Sequence, residues 1–361
     1  MERLEALRRR IRTIDSALLA LVAERMELAR EVGAEKQAAG IPLRDYEVEK
    51  RVLERAGSAA AELGLAPEMA HDLMRQLIEE ACRLQEIGHY SAYSGEAATI
   101  AILGGAGRMG RWLTRFLESQ GHRVRIVDPE AAPGEGVALG DALAGASLAI
   151  VSTPLATVPE AIDAIVASGF RGVVCDIASV KGHLRSAIER ARAAGVGVTS
   201  IHPMFGPDVR TLSDRVIVVC DCGDQAATER VATLFRETAA RLVPLSLARH
   251  DEIAGYVLGL SHFANLAFAR ALARSGLSRA ELESVGSTTF RSQMNTTAAV
   301  VAENPELYFS IQKLNGFSRR IHSELARAVS EWSDWIEGDD AEAFAVAMRG
   351  AHGWIEGRAA D

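Results

Sequence analysis

The sequence of 361 residues predicts a multi-domain protein with three parts in chain order: an all-α helical module, an α/β domain with a doubly wound parallel sheet, and an all-α domain. Three observations support this prediction. Apolar residues recur at helical spacing before residue 90, short apolar runs alternate with helical stretches from Thr99 to about Pro244, and strand signals stop beyond His250. The predicted domain boundaries are 1–90, 98–245 and 246–361.

Composition and charge argue against several classes of protein. Hydrophobic residues make up 48% of the chain and charged residues 24%, which is unlike a disordered or fibrous protein. The net charge of -8 predicts no nucleic-acid partner and no attraction to an anionic membrane. No signal-peptide pattern or spanning apolar run is present, so we expect a cytoplasmic protein. The four cysteines lack ligand or disulfide spacing, which predicts reduced thiols and no metal site.

The first predicted element is a long amphipathic helix over about residues 1–37. Its apolar side chains alternate at three- and four-residue spacing: Leu4, Leu7, Ile11, Ile14, Leu18, Leu21, Leu28 and Val32. At about 1.5 Å per residue the helix would reach roughly 50 Å, which a small domain cannot cover. We therefore expect it to pack against a second copy in a homodimer. Two further helices are predicted, from about Asp45 to Ala61 and from Pro67 to about Glu86, before a linker over 88–98.

A glycine-rich turn follows the first predicted strand, TIAIL, and opens an amphipathic helix. The candidate cofactor-binding residues of this turn are Gly105, Gly107, Arg108, Met109 and Gly110. Glycines permit a tight turn and let the backbone approach a pyrophosphate at the helix N-terminus. The next strand ends in Asp128, whose carboxylate can bind ribose hydroxyls and repel a 2′-phosphate. The pattern predicts a Rossmann-type NAD site, with NADP left open by Arg111 and Arg123.

Polar residues follow three later strands, at what would be the same edge of the sheet. The third strand leads into further candidate cofactor contacts: Ser152, Thr153 and Pro154. Ser179 and Lys181 follow the fourth strand, and His202 follows the fifth. Because substrates bind at the carboxyl ends of strands in doubly wound folds, we expect a hydroxyl, an ammonium and an imidazole to meet there. The prolines and glycine of HPMFGP would hold the loop of His202, which favours a catalytic role over a structural one.

The motifs GGAGRMG, DIASVK and HPMFGPD resemble prephenate dehydrogenase, and the layout of the whole chain resembles the bifunctional chorismate mutase/prephenate dehydrogenase family of tyrosine biosynthesis. The resemblance implies a chorismate-mutase-like module, a Rossmann domain and a helical dimerisation domain. It implies that His202 takes the proton of the prephenate 4-hydroxyl as hydride leaves for NAD, with support from Ser179. His262 is either a substrate contact or a core or interdomain histidine. The family also makes tyrosine a candidate effector.

Two cations interrupt the apolar face of the first helix. Arg25 lies between Leu21 and Leu28, and Lys36 lies three turns later on the same face. Cations on an inward face need an anion, and chorismate has two carboxylates. A helix bundle whose charges only set a coiled-coil register is the competing interpretation.

The resemblance implies roles for these cations and for four further residues of the mutase pocket. Arg8 from the partner chain, Arg25 and Lys36 would bind the carboxylates of chorismate. Lys36 and Gln85 would contact its ether oxygen, while Glu49 and Asp45 would lie near the C4 substituent.

Three positions depart from the family pattern: Val48 and Ala299 where arginine is common, and Ala81 where serine is frequent. Arg291, eight residues before Ala299, is retained as a candidate substrate contact, although it lies roughly 12 Å away along a helix. The leading hypothesis is turnover of chorismate and prephenate. The runner-up is the same chemistry on 4-amino-4-deoxychorismate and 4-amino-4-deoxyprephenate, giving 4-aminophenylpyruvate. A third hypothesis is a pseudoenzyme that binds tyrosine or NAD without turnover.

Overall fold

Three helices form the N-terminal part of the chain: α1 (Glu2–Ala38), α2 (Tyr46–Glu62) and α3 (Pro67–Tyr90). The computed structural model describes residues 1–39, 46–90, 95–209, 211–213 and 215–357. Contacts divide the chain into two units: unit 1 is Met1–Ala178 with Ser186–Ser246, and unit 2 is Ser179–Arg185 with Leu247–Asp361.

The long first helix is confirmed, and α3 packs against both α1 and α2. The eight apolar residues of the predicted stripe on α1 stay about half exposed in the single chain, from 48% for Leu4 to 62% for Leu21. The reason is length, since α1 has 37 residues and its neighbour α3 has 24. Helix α3 continues to Tyr90, beyond the predicted start of the linker at residue 88.

The rest of unit 1 contains a sheet whose seven described strands are ordered β2-β1-β3-β4-β5-β6-β7. Their bounds are β1 (Thr99–Leu103), β2 (Arg123–Val127), β3 (Leu148–Val151), β4 (Val173–Asp176), β5 (Gly197–Pro203), β6 (Val216–Asp221) and β7 (Arg241–Ser246). The first five are parallel, as predicted, and chain order reverses between β1 and β3. That reversal opens a ligand crevice at the carboxyl ends of the two strands.

The last two strands differ from the predicted parallel pattern. Strand β6 runs antiparallel to β5, because the described residues of the loop between them form no crossover helix. Strand β7 pairs with β6 at the edge of the sheet and contains Pro244, which an edge strand tolerates.

Helices cover the sheet and connect its strands: α4 (Arg108–Ser119), α5 (Leu139–Leu143), α6 (Val158–Ala167), α7 (Arg185–Ala193) and α8 (Gln225–Arg236). The core contains a stack of aromatic rings from α4 and α8. Phe116 lies 5.3 Å from Trp112 and 5.1 Å from Phe235, centroid to centroid. These contacts hold α4, and with it the glycine turn, against the sheet.

Unit 2 is helical, as predicted: α9 (Leu247–Ala254), α10 (Ser261–Arg274), α11 (Arg279–Ser284), α12 (Thr288–Val301), α13 (Pro305–Leu314), α14 (Ser318–Glu337) and α15 (Ala341–Ile355). A π-helical turn, Gly255–Leu260, joins α9 to α10. The side-chain amide of Gln312 donates to the Gly259 carbonyl at 3.0 Å and so occupies a carbonyl of this turn.

Among the helices of the described chain, none is long and apolar enough to cross a membrane. The cytoplasmic location stays a prediction. All four cysteine side chains are buried, and no disulfide joins them.

Candidate active sites

The glycine turn between β1 and α4 has a backbone that larger residues cannot adopt. Gly104 has φ +78°, and a Cβ there would lie 2.5 Å from the Ser152 carbonyl oxygen. A Cβ at Gly110 would lie 2.2 Å from the Gly104 carbonyl oxygen. Gly104 was missed in the sequence motif, although the doubled glycine was a signal for it. The turn therefore lies directly against the end of β3, as a dinucleotide cradle requires.

Asp128 is held beside this turn by two backbone donors. The Ala106 amide donates to Oδ2 at 2.9 Å, and the Glu130 amide donates to Oδ1 at 2.9 Å. Each carboxylate oxygen retains a lone pair for a ribose hydroxyl. Arg111 donates through Nε to the Ala106 carbonyl at 2.9 Å, while Arg123 starts β2, at the other end of the strand. These placements favour a ribose without a 2′-phosphate.

Two hydroxyls at the end of β3 fit a bound cofactor. Ser152 Oγ and Thr153 Oγ1 are buried and have no hydrogen-bond partner among the described atoms of the chain. Buried hydroxyls are normally paired, so this pair suits a ligand in the crevice. The other predicted contacts differ in role: Met109 packs on the hydrophobic core, and Arg108 forms an exposed ion pair with Asp208 at 2.7 Å.

The remaining members of the predicted cofactor set, Gly105, Gly107 and Pro154, lie in the two loops that border the crevice. A Cβ at Gly105 would lie 2.7 Å from the Ile126 side chain, so that position also requires glycine. In the described chain, no group of three or more His, Cys, Asp or Glu side chains could hold a metal ion.

His202 is the penultimate residue of β5 and is 4% exposed. It pairs in register with Val218 of β6. The loop that follows is held onto α4, because the Trp112 indole donates to the Val209 carbonyl at 3.2 Å and stacks edge-on against Phe205. The strand pairing of His202 and these contacts of the following loop hold the backbone on both sides of the imidazole.

Ser179 and Lys181 lie in the segment that groups with unit 2. The Asp251 carboxylate accepts the Lys181 and Gly182 amides at 2.7 and 2.6 Å, and its backbone carbonyl accepts the Asn315 amide at 2.8 Å. Lys181 is 0% exposed, so its ammonium is buried in the single chain. Asp251 therefore holds the loop of Ser179 in place. The sequence analysis did not identify Asp251, because it belongs to none of the recognised motifs.

His262 lies on α10 of the same unit, stacked on the Tyr308 ring at 4.1 Å between centroids. Its Nδ1 is buried without a hydrogen-bond partner in the described chain. Burial lowers the pKa of the His262 imidazole and raises the pKa of the Tyr308 hydroxyl, so both are neutral near pH 7. Arg291 and Ala299 are both exposed on α12.

In the helical module, two predicted mutase residues lie along the α1–α3 seam, each bonded to a backbone carbonyl of the other helix. Arg25 donates to the Leu77 carbonyl at 2.8 Å, and Gln85 donates to the Ala29 carbonyl at 3.0 Å. Burial lowers the pKa of the Arg25 guanidinium, which stays charged at neutral pH. Lys36 is half-buried one turn after Gly33, the residue against which Gln85 packs.

The other mutase residues lie elsewhere. Glu49 is half-buried and lines a cavity of about 710 Å³ with Gly57 and His71. Arg8 is exposed and paired with Glu5 of the same helix at 2.9 Å. Asp45 lies outside the described residues.

Sequence models of three protein families match the chain: chorismate mutase type II over residues 7–86, the prephenate dehydrogenase nucleotide-binding domain over 121–244, and the prephenate dehydrogenase dimerization domain over 246–350. The nucleotide-binding match begins at residue 121, after the glycine turn. The assignment of that turn to the cofactor site therefore rests on its own geometry.

Individual proteins agree with these matches. T-protein of Enterobacter agglomerans is 28% identical over 352 residues, which is 98% of this chain and 93% of that protein. Chorismate mutase of Methanocaldococcus jannaschii is 34% identical over 86 residues, 24% of this chain and 87% of that protein. Among solved structures, prephenate dehydrogenase from A. aeolicus in complex with hydroxyphenyl propionate and NAD+ shares the fold, with a TM-score of 0.59, 16% identity, and coverage of 72% of this chain and 97% of that one.

Fold and site together define an NAD-dependent dehydrogenase with a helical mutase module ahead of it. The chain belongs to the bifunctional chorismate mutase/prephenate dehydrogenase family.

Proposed function

We propose that the chain rearranges chorismate to prephenate in its helical module and then oxidatively decarboxylates prephenate to 4-hydroxyphenylpyruvate with NAD. The main observation in support of the dehydrogenase activity concerns the hydroxyls of Ser152 and Thr153 beside the Gly104 turn. Both are buried and have no hydrogen-bond partner among the described residues. A buried imidazole, His202, lies one residue before the end of β5 in the same sheet. Cofactor cradle and base belong to one unit of the fold.

In the dehydrogenase step, His202 removes the proton of the ring 4-hydroxyl while hydride leaves C4. NAD, when bound, would supply the acceptor for that hydride. The backbone of the glycine turn would hold its pyrophosphate, and Asp128 would hold its adenosine ribose. Ring C1 loses its carboxylate as CO2, and the ring becomes aromatic, which makes the step irreversible. Ser179 and His262 are proposed to orient the substrate, and Lys181 and Arg291 stay predicted contacts.

The mutase step needs no covalent catalyst, because the rearrangement is unimolecular. Arg25 and Lys36, with Arg8 of a second copy, are proposed to hold the two carboxylates in the compact conformer. Lys36 and Gln85 would stabilise the negative charge that develops on the breaking ether oxygen. The Gln85 amide supports this role, since it already lies at the α1–α3 seam with Arg25. Glu49 is proposed to bind the C4 hydroxyl.

We also propose a homodimer. The C-terminal helices match a dimerization domain, and the half-exposed stripe of α1 supports a second interface in the helical module. Tyrosine as an effector rests on the family resemblance, and adding tyrosine during steady-state dehydrogenase assays tests it.

The 4-amino-4-deoxy substrates are the competing assignment, motivated by Val48 and Ala299. Similarity to T-protein over nearly the whole chain does not favour them. One enzyme preparation assayed for NADH formation with prephenate and with 4-amino-4-deoxyprephenate decides the matter. We expect efficient turnover of prephenate. A preference of tenfold or more for the amino compound, about 1.4 kcal/mol in transition-state binding, would overturn the assignment. NAD binding without NADH formation from either compound would indicate a pseudoenzyme.

A further inference from the structure

A buried carboxylate joins the mutase helix α3 to the dehydrogenase domain within unit 1. Glu86 is 1% exposed and lies 126 residues or more from its partners in sequence. Its carboxylate accepts the Leu212 amide, the Ser213 amide at 2.7 Å and the Ser213 hydroxyl. Three donors on one buried carboxylate form a specific attachment, because each would be costly to bury unpaired.

Gln85, which directly precedes Glu86 in sequence, faces the proposed mutase pocket. Gln85 donates to Ala29 of α1 and packs against Gly33, at the proposed mutase pocket. Successive residues on a helix point about 100° apart, so α3 presents Gln85 to α1 and Glu86 to the dehydrogenase loop. Three residues earlier on α3, Arg83 lines a cavity of about 610 Å³ together with Trp112 and Val209 of the dehydrogenase domain.

The loop that Glu86 holds follows Pro203, the last residue of β5 and the neighbour of His202. At its start, the Met204 amide donates to the Val216 carbonyl at 2.9 Å. In its middle, Val209 accepts the Trp112 indole. At its end, Leu212 is 1% exposed within the hydrophobic core, and Ser213 is bound by Glu86. The two amides that Glu86 accepts have this carboxylate as their acceptor, so loss of it would leave buried donors unpaired.

We infer that Glu86 is a positioning residue of the dehydrogenase: through it, the mutase helix α3 holds the loop after His202 in its catalytic conformation. The inference rests on the proposed function of His202. It assigns the fused mutase module a part in the second reaction, beyond supplying its substrate.

The test compares Glu86→Gln with the wild-type full chain. The amide keeps the size of the side chain but loses the charge and places an N–H2 group among three donors. We expect kcat/KM for prephenate to fall by about tenfold or more, the pH profile of kcat/KM to shift with displacement of His202, and chorismate mutase activity to stay within about twofold. Glu79→Gln, an exposed glutamate on the same helix, is the matched control and should leave both activities unchanged.

Two further measurements test the role of Glu86 even if Glu86→Gln is unstable or prephenate is not the substrate. Ser213→Ala removes one donor only and should cause a smaller loss, about threefold, with no added effect in the Glu86→Gln background. Hydrogen exchange of residues 203–213 should accelerate at least tenfold in Glu86→Gln, whatever substrate is used. Unchanged exchange in this loop, or equal losses in both activities, would overturn the inference. Wild-type inactivity on prephenate with accelerated exchange would overturn the proposed function alone.

Discussion

At the scale of single residues, the dehydrogenase site depends on two polar side chains that the backbone holds in place. His202 is buried at the end of a strand, with its loop pinned to α4. Asp128 accepts two backbone amides beside the glycine turn. The two residues lie at different strands, Asp128 directly after β2 and His202 within β5, so substitutions should act on chemistry and on cofactor choice separately.

Replacing His202 with asparagine should lower dehydrogenase kcat by about a hundredfold to ten-thousandfold, the range for loss of a general base. The affinity for NAD should stay nearly unchanged, because the glycine turn and Asp128 are separate from the imidazole. NADH absorbance gives kcat, and fluorescence titration gives NAD affinity. His352→Asn, an exposed histidine on α15, is the control. Turnover that survives in His202→Asn would show that another group is the base.

Asp128→Asn should weaken NAD binding about tenfold and reduce the preference for NAD over NADP. The amide loses the negative charge that repels a 2′-phosphate, and it loses one acceptor for the ribose hydroxyls. Titrations with NAD and NADP, in parallel on the variant and the wild type, measure the change. Glu118→Gln, at an exposed glutamate of α4, is a matched control and should leave both affinities unchanged. An unaltered ratio of the two affinities would contradict the role of Asp128.

At the scale of elements, the apolar stripe of α1 is only partly covered in the single chain. The structure buries a few α1 residues against α3 and leaves its long apolar stripe half exposed. An exposed apolar stripe of this length is typical of an interaction surface. The proposed use of Arg8 across the dimer depends on that stripe.

Leu18→Glu should therefore lower chorismate mutase kcat/KM by tenfold or more while dehydrogenase kcat stays within about threefold. A charge on the stripe would separate the two copies of α1 and remove Arg8 from the neighbouring pocket. The C-terminal helices should still hold the dimer, which light scattering can check. Ser16→Glu, an exposed polar position on the same helix, should have little effect. Full mutase activity in Leu18→Glu would refute a pocket shared between copies.

At the scale of the whole molecule, two histidines in different units, His122, which is buried, and His262, which is half-buried, predict acid sensitivity. Burial is the larger cause, and the charge of Arg230 the smaller, of the lowered pKa of His122; burial also lowers the pKa of His262. The Ala98 amide donates to His122 Nδ1 at 3.1 Å, which requires an unprotonated nitrogen. Since both pKa values are lower in the folded state, the unfolded chain binds more protons in acid.

The resulting stability is complete above the unfolded pKa of about 6.5 and is lost as the pH falls through the lower, folded values. The denaturation midpoint in urea should therefore drop between pH 7.5 and pH 5.5. His122→Gln keeps an acceptor for the Ala98 amide but does not titrate, so its midpoint should drop less. His352→Gln, exposed, should behave as the wild type. An equal drop in His122→Gln would assign the acid sensitivity to other groups.

Much of this molecule could be predicted from local sequence pattern. The three-four spacing of α1, the glycine turn and the first five strands are short-range signals, and each is where the sequence placed it. The direction of β6 was not predictable from periodicity, because an apolar run reads the same in either direction. Strand β7 was obscured by Pro244, which only its position at the sheet edge allows.

The sequence alone determined the family and the chemistry of the sites, since glycine spacing, Asp128 and the HPMFGPD motif require no contact map. Only the tertiary structure decided what holds those residues: Gly104 against Ser152, Asp251 under the loop of Ser179, and Glu86 on the loop after His202. The physical reason is that such contacts join residues far apart in sequence. The donors to the buried carboxylates of Asp251 and Glu86 lie 69 to 127 residues away, where no local pattern can indicate them.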